Sequence, residues 1–200
     1  MRTPRIPIIR RSVGEPAPEF GKVAGMTELP PVPDLVGPGL RLLFVGINPS
    51  VMSSETGFHF AHPVNRFYPA LRGAGILPDN ILTPAQAAPV LVERGVGITN
   101  LVPRPSARAD ELDNEELCDG RARLDRFVRE HAPRVVAVAG ITAYRTAFGD
   151  RRARLGRQDI GMGGAELWVV PNPSGLNAHA TITTLADAYR EVAVAAGVLP

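Results

Sequence analysis

Short apolar runs alternate with helical patterns from about residue 40 to the end of this chain. The runs RLLFVGI, VGITNLV, RVVAVAG and AELWVV are apolar at most positions, which is typical of strands buried on both faces. The segments between them carry apolar residues at helical spacing. The predicted strands are 41–47, 96–102, 134–140 and 165–175, the last running into an Asn-Pro turn, and the predicted helices are 65–75, 83–95, 111–133, 141–148 and 184–198.

This alternation predicts a three-layer α/β/α sandwich with a central, mainly parallel sheet of about four to five strands. Two helix starts are marked by their chemistry. Thr83 is a predicted N-cap with Pro84 at the first helical position, and Pro69 indicates that its helix begins or kinks nearby. In open α/β sheets the functional site lies at the carboxyl ends of the strands. The segments to inspect are therefore GINPS, TNLVPRP, GITAY and PNPSGLN.

Residues 1–37 have a different character from the rest of the chain. They hold seven prolines and no sustained apolar period, which indicates a flexible, basic extension rather than a packed element. The opening RTPRIPIIRR suits contact with a polyanion, and a solvated tail is the simpler interpretation. We expect a single domain over residues 38–200.

Composition narrows the class of protein. Apolar residues make up 44% of the chain and charged residues 21%, as in globular proteins. No apolar run approaches the roughly 20 residues that cross a bilayer, and the N-terminus lacks the apolar core of a secretory signal. Cys118 is the only cysteine, which excludes an intrachain disulfide and fits a reducing cytoplasm. The net charge of +2 permits nucleic-acid binding without demonstrating it.

Common enzyme signatures are missing from the sequence. There is no GxGxxG, Walker or GxSxG pattern, so dinucleotide, P-loop and α/β-hydrolase chemistry lack support. His59 and His62 are three residues apart in HFAH, but no acidic residue accompanies them at ligand spacing. Acidic neighbours disfavour a thiolate at Cys118. We therefore expect neither a metal site nor a nucleophilic cysteine.

Two amide side chains follow predicted strands instead. Asn48 and Asn172 each precede a proline, and a single Asn-Pro is most simply a turn. An amide is a poor base, but it can hold a water through its oxygen or donate N–H groups to a base edge. Two such turns and the nearby aromatic cluster TGFHFAHPVNRF make a site for a planar ligand a serious alternative to plain turns. We expect Phe58 and Phe67 in the core and Phe60 in a cleft, where its ring would stack on a flipped nucleobase.

These residues resemble a known family, the mismatch-specific uracil/thymine-DNA glycosylases (the MUG/TDG branch of the uracil-DNA glycosylase superfamily). GINPS followed by SSETGFHFAHPVNRFY is similar to that family's GINPG…TGFPFAHPANRFW, and PNPSGLN is similar to its NPSGLS motif. GITNLVPRP and RVVAVAGITAY match the intervening strands. The resemblance covers residues from about 40 to 198 and leaves the N-terminal extension unmatched.

The resemblance implies roles for particular residues. Asn48 corresponds to the catalytic asparagine, which positions the attacking water. Phe60 corresponds to the ring that stacks on the extruded base, and the backbones of Ile47 and Phe60 would read the pyrimidine edge. Leu176 corresponds to the wedge that fills the vacated space in the duplex. Asn100 and Ser50 are further base-binding candidates, and the remaining candidates for DNA contact are Asn172, Ser174, Gly175, Asn177 and Ser53.

Three positions depart from the family pattern. Ser50 replaces a glycine and adds a side chain near the base or the sugar. Asn177 and Ala178 replace the polar or basic end of the wedge loop, where an arginine is often found, which puts recognition of the opposite guanine in doubt. The substrate range therefore stays open among uracil, thymine and damaged pyrimidines.

The resulting hypothesis is a DNA repair glycosylase that acts as a monomer on duplex DNA, needs no metal or cofactor, and removes uracil mispaired with guanine. Uracil and thymine are good leaving groups because their negative charge spreads over two carbonyls, and a weakly paired base costs less to flip. The only lysine, Lys22, lies in the extension, so Schiff-base chemistry is not expected. The alternatives are a non-catalytic mismatch-binding module on the same fold and, more weakly, a nucleoside hydrolase, whose Asp cluster for Ca²⁺ is missing from the sequence.

Overall fold

A computed structural model describes residues 29–200 of the chain. Within these residues, five strands form a single sheet in the order β2-β1-β3-β5-β4. Every neighbouring pair is parallel except β4 and β5, which confirms the predicted, mainly parallel sheet. The strands are β1 (Leu42–Gly46), β2 (Val96–Asn100), β3 (Val135–Ala139), β4 (Gly156–Met162) and β5 (Ala165–Val170).

Helices cover both faces of the sheet. They are α1 (Val51–Thr56), α2 (Phe67–Gly73), α3 (Pro84–Glu93), α4 (Asn114–His131), α5 (Ile141–Phe148) and α6 (Ile182–Ala195). Alternate residues of β1 enter opposite cores: Leu42 and Phe44 pack with α2, α3 and α6, whereas Leu43 and Val45 pack with α4 and α5. The strands are apolar throughout because both of their faces are buried. The predicted three-layer α/β/α sandwich is confirmed.

Local chemistry explains where the predicted helices begin. The Thr83 side chain accepts a hydrogen bond from the Gln86 N–H in a capping box, and Pro84 occupies the first helical position, as predicted. Asp113 forms a second capping box with Glu116 at the start of α4. Because α2 begins at Phe67, Pro69 lies in its first turn, where its missing N–H costs no helical hydrogen bond.

One α-helix and one strand were not predicted. The segment after β1 forms the short helix α1, which Ser50 caps and which ends at Gly57 in the left-handed conformation. The strand β4 pairs antiparallel with β5 through a hairpin at Gly163 and Gly164. It lies at the sheet edge and most of its residues are exposed or half-buried, so it lacks the apolar pattern that revealed the other strands.

The described part of the predicted extension packs onto the domain. Leu35 pairs with Ile98 of β2 through two backbone hydrogen bonds, Val32 is buried, and the Thr99 hydroxyl bonds the Asp34 carboxylate. Contacts with the sheet therefore begin before residue 38, where we placed the domain boundary. Most of the predicted extension, including its basic opening, lies outside the described residues. No helix within residues 29–200 has the length and apolarity to cross a membrane.

Candidate active site

A cleft of about 810 Å³ opens at the carboxyl ends of the parallel strands. Asn48 follows β1, Asn100 ends β2, Gly140 follows β3 and Asn172 follows β5, so the topology brings these four loops together. All the predicted site residues line this cleft, namely Ile47, Asn48, Ser50, Ser53, Phe60, Asn100, Asn172, Ser174, Gly175, Leu176 and Asn177.

The amide of Asn48 is held by its nitrogen. Asn48 Nδ2 lies 2.7 Å from Ser106 Oγ and 3.1 Å from the Arg104 carbonyl oxygen. A backbone carbonyl only accepts hydrogen bonds, so this contact determines which end of the amide is the NH₂ group. Among residues 29–200, no group donates a hydrogen bond to Asn48 Oδ1. This oxygen is also not one of the buried atoms that lack a hydrogen-bond partner, so it is accessible to solvent. The carbonyl oxygen is thus available to a ligand or a water in the cleft.

Ser50 and Ser53 form the start of α1 beside Asn48. The Ser50 hydroxyl accepts a hydrogen bond from the Ser53 N–H at 3.1 Å and donates to Ser53 Oγ at 3.0 Å. Ser53 is 1% exposed, and its Oγ also accepts from the Ala61 N–H. The Ser50 side chain that departs from the family pattern is therefore engaged as a helix cap. Ser53 also lines the cleft, but its hydroxyl is already bonded to Ser50 and to the Ala61 N–H.

A stack of two phenylalanine rings forms one wall. Phe60 lies over Phe67 with ring centroids 4.1 Å apart and an interplanar angle of 23°. Phe67 is fully buried, as predicted, whereas Phe58 is only half-buried and belongs to neither core cluster, so its predicted core position is wrong. Phe58 lies in the loop that follows α1. Phe60 adopts φ +54°, a conformation that costs a non-glycine residue energy and often marks functional sites.

Gly46 makes room for this wall. A Cβ atom there would lie 2.5 Å from Asn100 Oδ1, closer than real contacts allow, and 3.1 Å from Phe60 Cζ, which is a tight contact. The glycine that ends β1 therefore lets the ring and the amide reach the same end of the cleft. The next residue, Ile47, pairs through its carbonyl oxygen with the Val102 N–H at 2.9 Å, which ties the strand end to the segment after β2.

Asn100 is connected to a buried histidine. Asn100 Nδ2 lies 3.0 Å from His59 Nδ1, and His59 Nε2 lies 3.0 Å from the Pro33 carbonyl oxygen. Both side chains are almost completely buried. Burial lowers the pKa of His59 below its ordinary value, against the opposing influence of the Pro33 hydrogen bond and the Asp34 charge. The ring is therefore neutral at pH 7.

The predicted wedge loop presents an exposed leucine on a braced backbone. Leu176 is 83% exposed. Below it, Asn172 Oδ1 accepts from the Ser174 N–H at 3.0 Å, and Asn177 Nδ2 donates to the Asn172 carbonyl at 2.9 Å. A Cβ atom on Gly175 would lie 2.7 Å from a Val64 methyl and 2.9 Å from its carbonyl oxygen. The loop thus packs tightly on residues of the first motif while its tip stays free.

Arg66 joins the two motifs. Its guanidinium donates to the carbonyl oxygens of Ala180, Ser174 and Asn177, the last at 2.8 Å, and its backbone N–H donates to the Pro173 carbonyl. One half-buried arginine thus fixes the wedge loop relative to the phenylalanine wall.

Several residues of this region were not identified from the sequence. Two of them, Ser106 and Asp110, follow β2. Ser106 bonds the Asn48 amide, and Asp110 carries the carboxylate among the described residues that line the cleft. Asp110 is exposed and paired with Arg108 at 2.6 Å. His59 was weighed only as a metal ligand. The signal that marks Ser106 is weak, because it is one serine after VPRP in a loop of unpredicted course.

This arrangement can hold a flat ligand and a water molecule. Within residues 29–200, His, Cys, Asp and Glu form no group that would hold a metal ion. The cleft combines an aromatic face, a free amide oxygen on Asn48 and further amides on Asn100 and Asn172. These groups can stack a flat ring, hydrogen-bond its edge and hold a water.

Comparisons with known proteins identify a similar fold and a matching family. The fold is similar to the solution NMR structure of a Methanosarcina acetivorans protein described as a candidate uracil DNA glycosylase. The two share 17% sequence identity and a TM-score of 0.59, over 85% of this chain and 98% of that chain. At this identity the likeness shows the fold alone. The family model of the uracil DNA glycosylase superfamily matches residues 33–194. Because this match spans most of the chain, the protein belongs to the uracil DNA glycosylase superfamily.

Proposed function

We propose that this protein is a monofunctional DNA glycosylase of the mismatch-specific uracil/thymine branch. It hydrolyses the N-glycosidic bond of uracil mispaired with guanine in duplex DNA and acts as a cytoplasmic monomer. Thymine and damaged pyrimidines are further candidate substrates. The motifs around Asn48 and Leu176 support the branch, and the superfamily supports the reaction class.

The orientation of the Asn48 amide carries this proposal. Ser106 and the Arg104 carbonyl take the N–H donors, so the free oxygen is an acceptor that can hold the attacking water. An amide is a poor base, so the reaction depends on a good leaving group and on electrostatic stabilisation of the charge that develops on the base. Uracil and thymine meet that requirement better than cytosine or adenine.

The rest of the cleft suits an extruded pyrimidine. Phe60 is supported from behind by Phe67, so one face of its ring is free to stack on a flat base. Leu176 projects from a braced loop and would fill the gap that the flipped nucleotide leaves. No lysine occurs between residues 29 and 200, so the site offers no amine for a Schiff base.

The test is excision from a labelled duplex that holds one G·U pair, followed by alkaline cleavage of abasic sites. Wild-type protein should yield product without added metal and in the presence of a chelator. Asn48→Ala should abolish product while the protein remains folded, as shown by a cooperative thermal unfolding transition. Failure of wild-type protein to form product, with retained binding to mismatched duplex, would establish the non-catalytic alternative.

We also propose that the catalytic domain needs the segment before residue 38. Leu35 pairs with β2, and Pro33 supports His59, so a 38–200 fragment loses contacts that a 29–200 fragment keeps. Comparing both fragments with the full chain, by thermal unfolding and by excision rate, tests this. Equal stability of the two fragments would place the boundary at residue 38.

A further inference from the structure

His59 forms a continuous hydrogen-bonded connection between the N-terminal segment and Asn100. Its Nε2 lies 3.0 Å from the Pro33 carbonyl oxygen and its Nδ1 lies 3.0 Å from Asn100 Nδ2. The histidine is 5% exposed and Asn100 is 6% exposed, so water competes little for these bonds. The Tyr68 hydroxyl donates to the His59 carbonyl oxygen at 2.9 Å, which holds the backbone of the same residue.

The chemistry of the partners determines every proton in this connection. The Pro33 carbonyl can only accept, so His59 Nε2 carries a hydrogen. In a neutral ring Nδ1 is then an acceptor, and the Asn100 atom beside it must be the NH₂ group. The carbonyl oxygen of Asn100 is left beside Gly46, 2.5 Å from the point where a Cβ on Gly46 would lie, and Phe60 Cζ lies 3.1 Å from the same point.

Neighbouring charges are compatible with a neutral ring. Asp34 is the acid whose charge acts on His59. Its carboxylate accepts a hydrogen bond from the Thr99 hydroxyl and forms an ion pair with Arg123 at 3.8 Å. Arg123 also donates to the backbone carbonyl of Asn100. Burial lowers the pKa of His59, so the Nδ1 acceptor persists through neutral pH.

The Asn100 oxygen opens onto the cleft. Among residues 29–200, no group donates a hydrogen bond to this oxygen. It is not one of the buried atoms that lack a partner, so it is accessible to solvent. Asn100 lines the cleft together with Phe60 and Ile47. An acceptor at this place matches a ring N–H, which uracil and thymine present at N3. Cytosine would bring a bare N3 lone pair against the same oxygen, and two facing acceptors repel.

We propose that His59 is a positioning residue that holds the Asn100 amide with its oxygen toward the base, and thereby selects pyrimidines that carry an N3–H. This inference rests on the proposed function, because it assigns the specificity of the same site. Without the Nδ1 acceptor, the amide can turn over and present its NH₂ group to the cleft. One hydrogen bond of this kind corresponds to a change in rate or binding of about tenfold.

The first test needs no glycosylase activity. Long-range ¹H–¹⁵N spectra of the full chain, labelled at histidine, report which ring nitrogen carries hydrogen, and His59→Gln assigns the signal. We expect the Nε2–H tautomer for His59 at pH 7. An Nδ1–H tautomer or a charged ring at that pH overturns the proposal, because either removes the acceptor.

The second test compares two substitutions that each keep half of the connection. His59→Asn places an amide oxygen near the Nδ1 position and keeps an acceptor for Asn100. His59→Gln places an amide nitrogen near the Nε2 position and keeps the donor to Pro33. In single-turnover excision of uracil from duplex DNA, His59→Gln should be about tenfold slower than His59→Asn. His131→Gln, on the outer helix α4, is the control that should match wild type.

Three outcomes separate the possible errors. Equal rate losses in the two His59 variants, with equal loss of thermal stability, indicate a structural role only and overturn the proposal. Titration of the full chain with free uracil and free cytosine should shift the Asn100 side-chain signals with uracil alone. If the tautomer and this selectivity are as expected but wild type excises nothing, His59 positions Asn100 and the proposed catalytic function is wrong.

Discussion

Replacing Ser106 by alanine tests whether the orientation of Asn48 determines the rate. The Ser106 hydroxyl accepts from Asn48 Nδ2 at 2.7 Å and donates to the Arg108 carbonyl at 2.6 Å, so the substitution removes two hydrogen bonds. Each is worth about 0.5–1.5 kcal/mol net, which predicts a loss of about 1–3 kcal/mol in the free energy of unfolding. The Asn48 amide keeps its 3.1 Å bond to the Arg104 carbonyl and a longer, 3.3 Å bond to the Pro49 carbonyl.

The excision rate should fall only because the Asn48–Ser106 hydrogen bond is lost, and not because of the Ser106–Arg108 bond. About 1.4 kcal/mol of lost positioning in the transition state corresponds to a tenfold slower step, so Ser106→Ala should retain roughly a tenth of the wild-type rate. Asn48→Ala, which removes the water-holding oxygen itself, should be inactive. The assay is single-turnover excision of uracil from a G·U duplex, with chemical denaturation measured on the same preparations.

Ser54→Ala is a matched control. Ser54 is about as buried as Ser106, lies on α1, and its hydroxyl donates to the Pro30 carbonyl and forms no hydrogen bond with Asn48. It should lower stability and leave the excision rate unchanged. If both serine variants slow excision to the same extent, or if Ser106→Ala stays within about twofold of wild type, Asn48 is not positioned by Ser106 and the reasoning fails.

Three further outcomes follow from the structure. Leu176→Ala should slow excision from duplex DNA and leave excision from single strands nearly unchanged, since only a duplex has a vacated space to fill; equal losses on both substrates contradict the wedge role. Thr83→Ala should remove the capping box of α3 and cost about 1 kcal/mol in urea denaturation, without an effect on excision. The neutral, buried His59 has a pKa below 6.5, so the unfolded chain takes up its proton first as the pH falls. The contribution of neutral His59 to the free energy of unfolding should therefore be fully present above pH 6.5, and the free energy of unfolding should decline below that pH. The decline should be smaller in His59→Asn.

The elements that sequence predicted are those whose pattern has a direct physical cause. The strands β1, β2, β3 and β5 are apolar because both faces are buried, and α3 starts where Thr83 and Pro84 provide a cap and a preset φ. The strand β4 has one ladder and exposed side chains, so nothing in its composition separates it from a loop. The short helix α1 is below the length at which periodicity can be detected.

The site divides in the same way. Asn48, Phe60 and Leu176 were identified from sequence because they stand in contiguous motifs, and topology required those motifs to meet at one edge of the sheet. The roles of Ser106 and His59 depend on contacts with residues distant in the chain. Ser106 reaches Asn48 because the segment after β2 pairs with residues 49–50, and His59 reaches Asn100 across the end of the sheet.

Sequence alone thus determined the layered fold, the cleft and the chemical types that line it, because these follow from burial patterns and local motifs. Tertiary structure alone decided how the amides are oriented. An asparagine has two nearly identical ends, and only the fixed carbonyls of Arg104 and Pro33, the second acting through His59, determine which end of Asn48 and Asn100 faces the cleft. It also decided that the Ser50 hydroxyl caps α1.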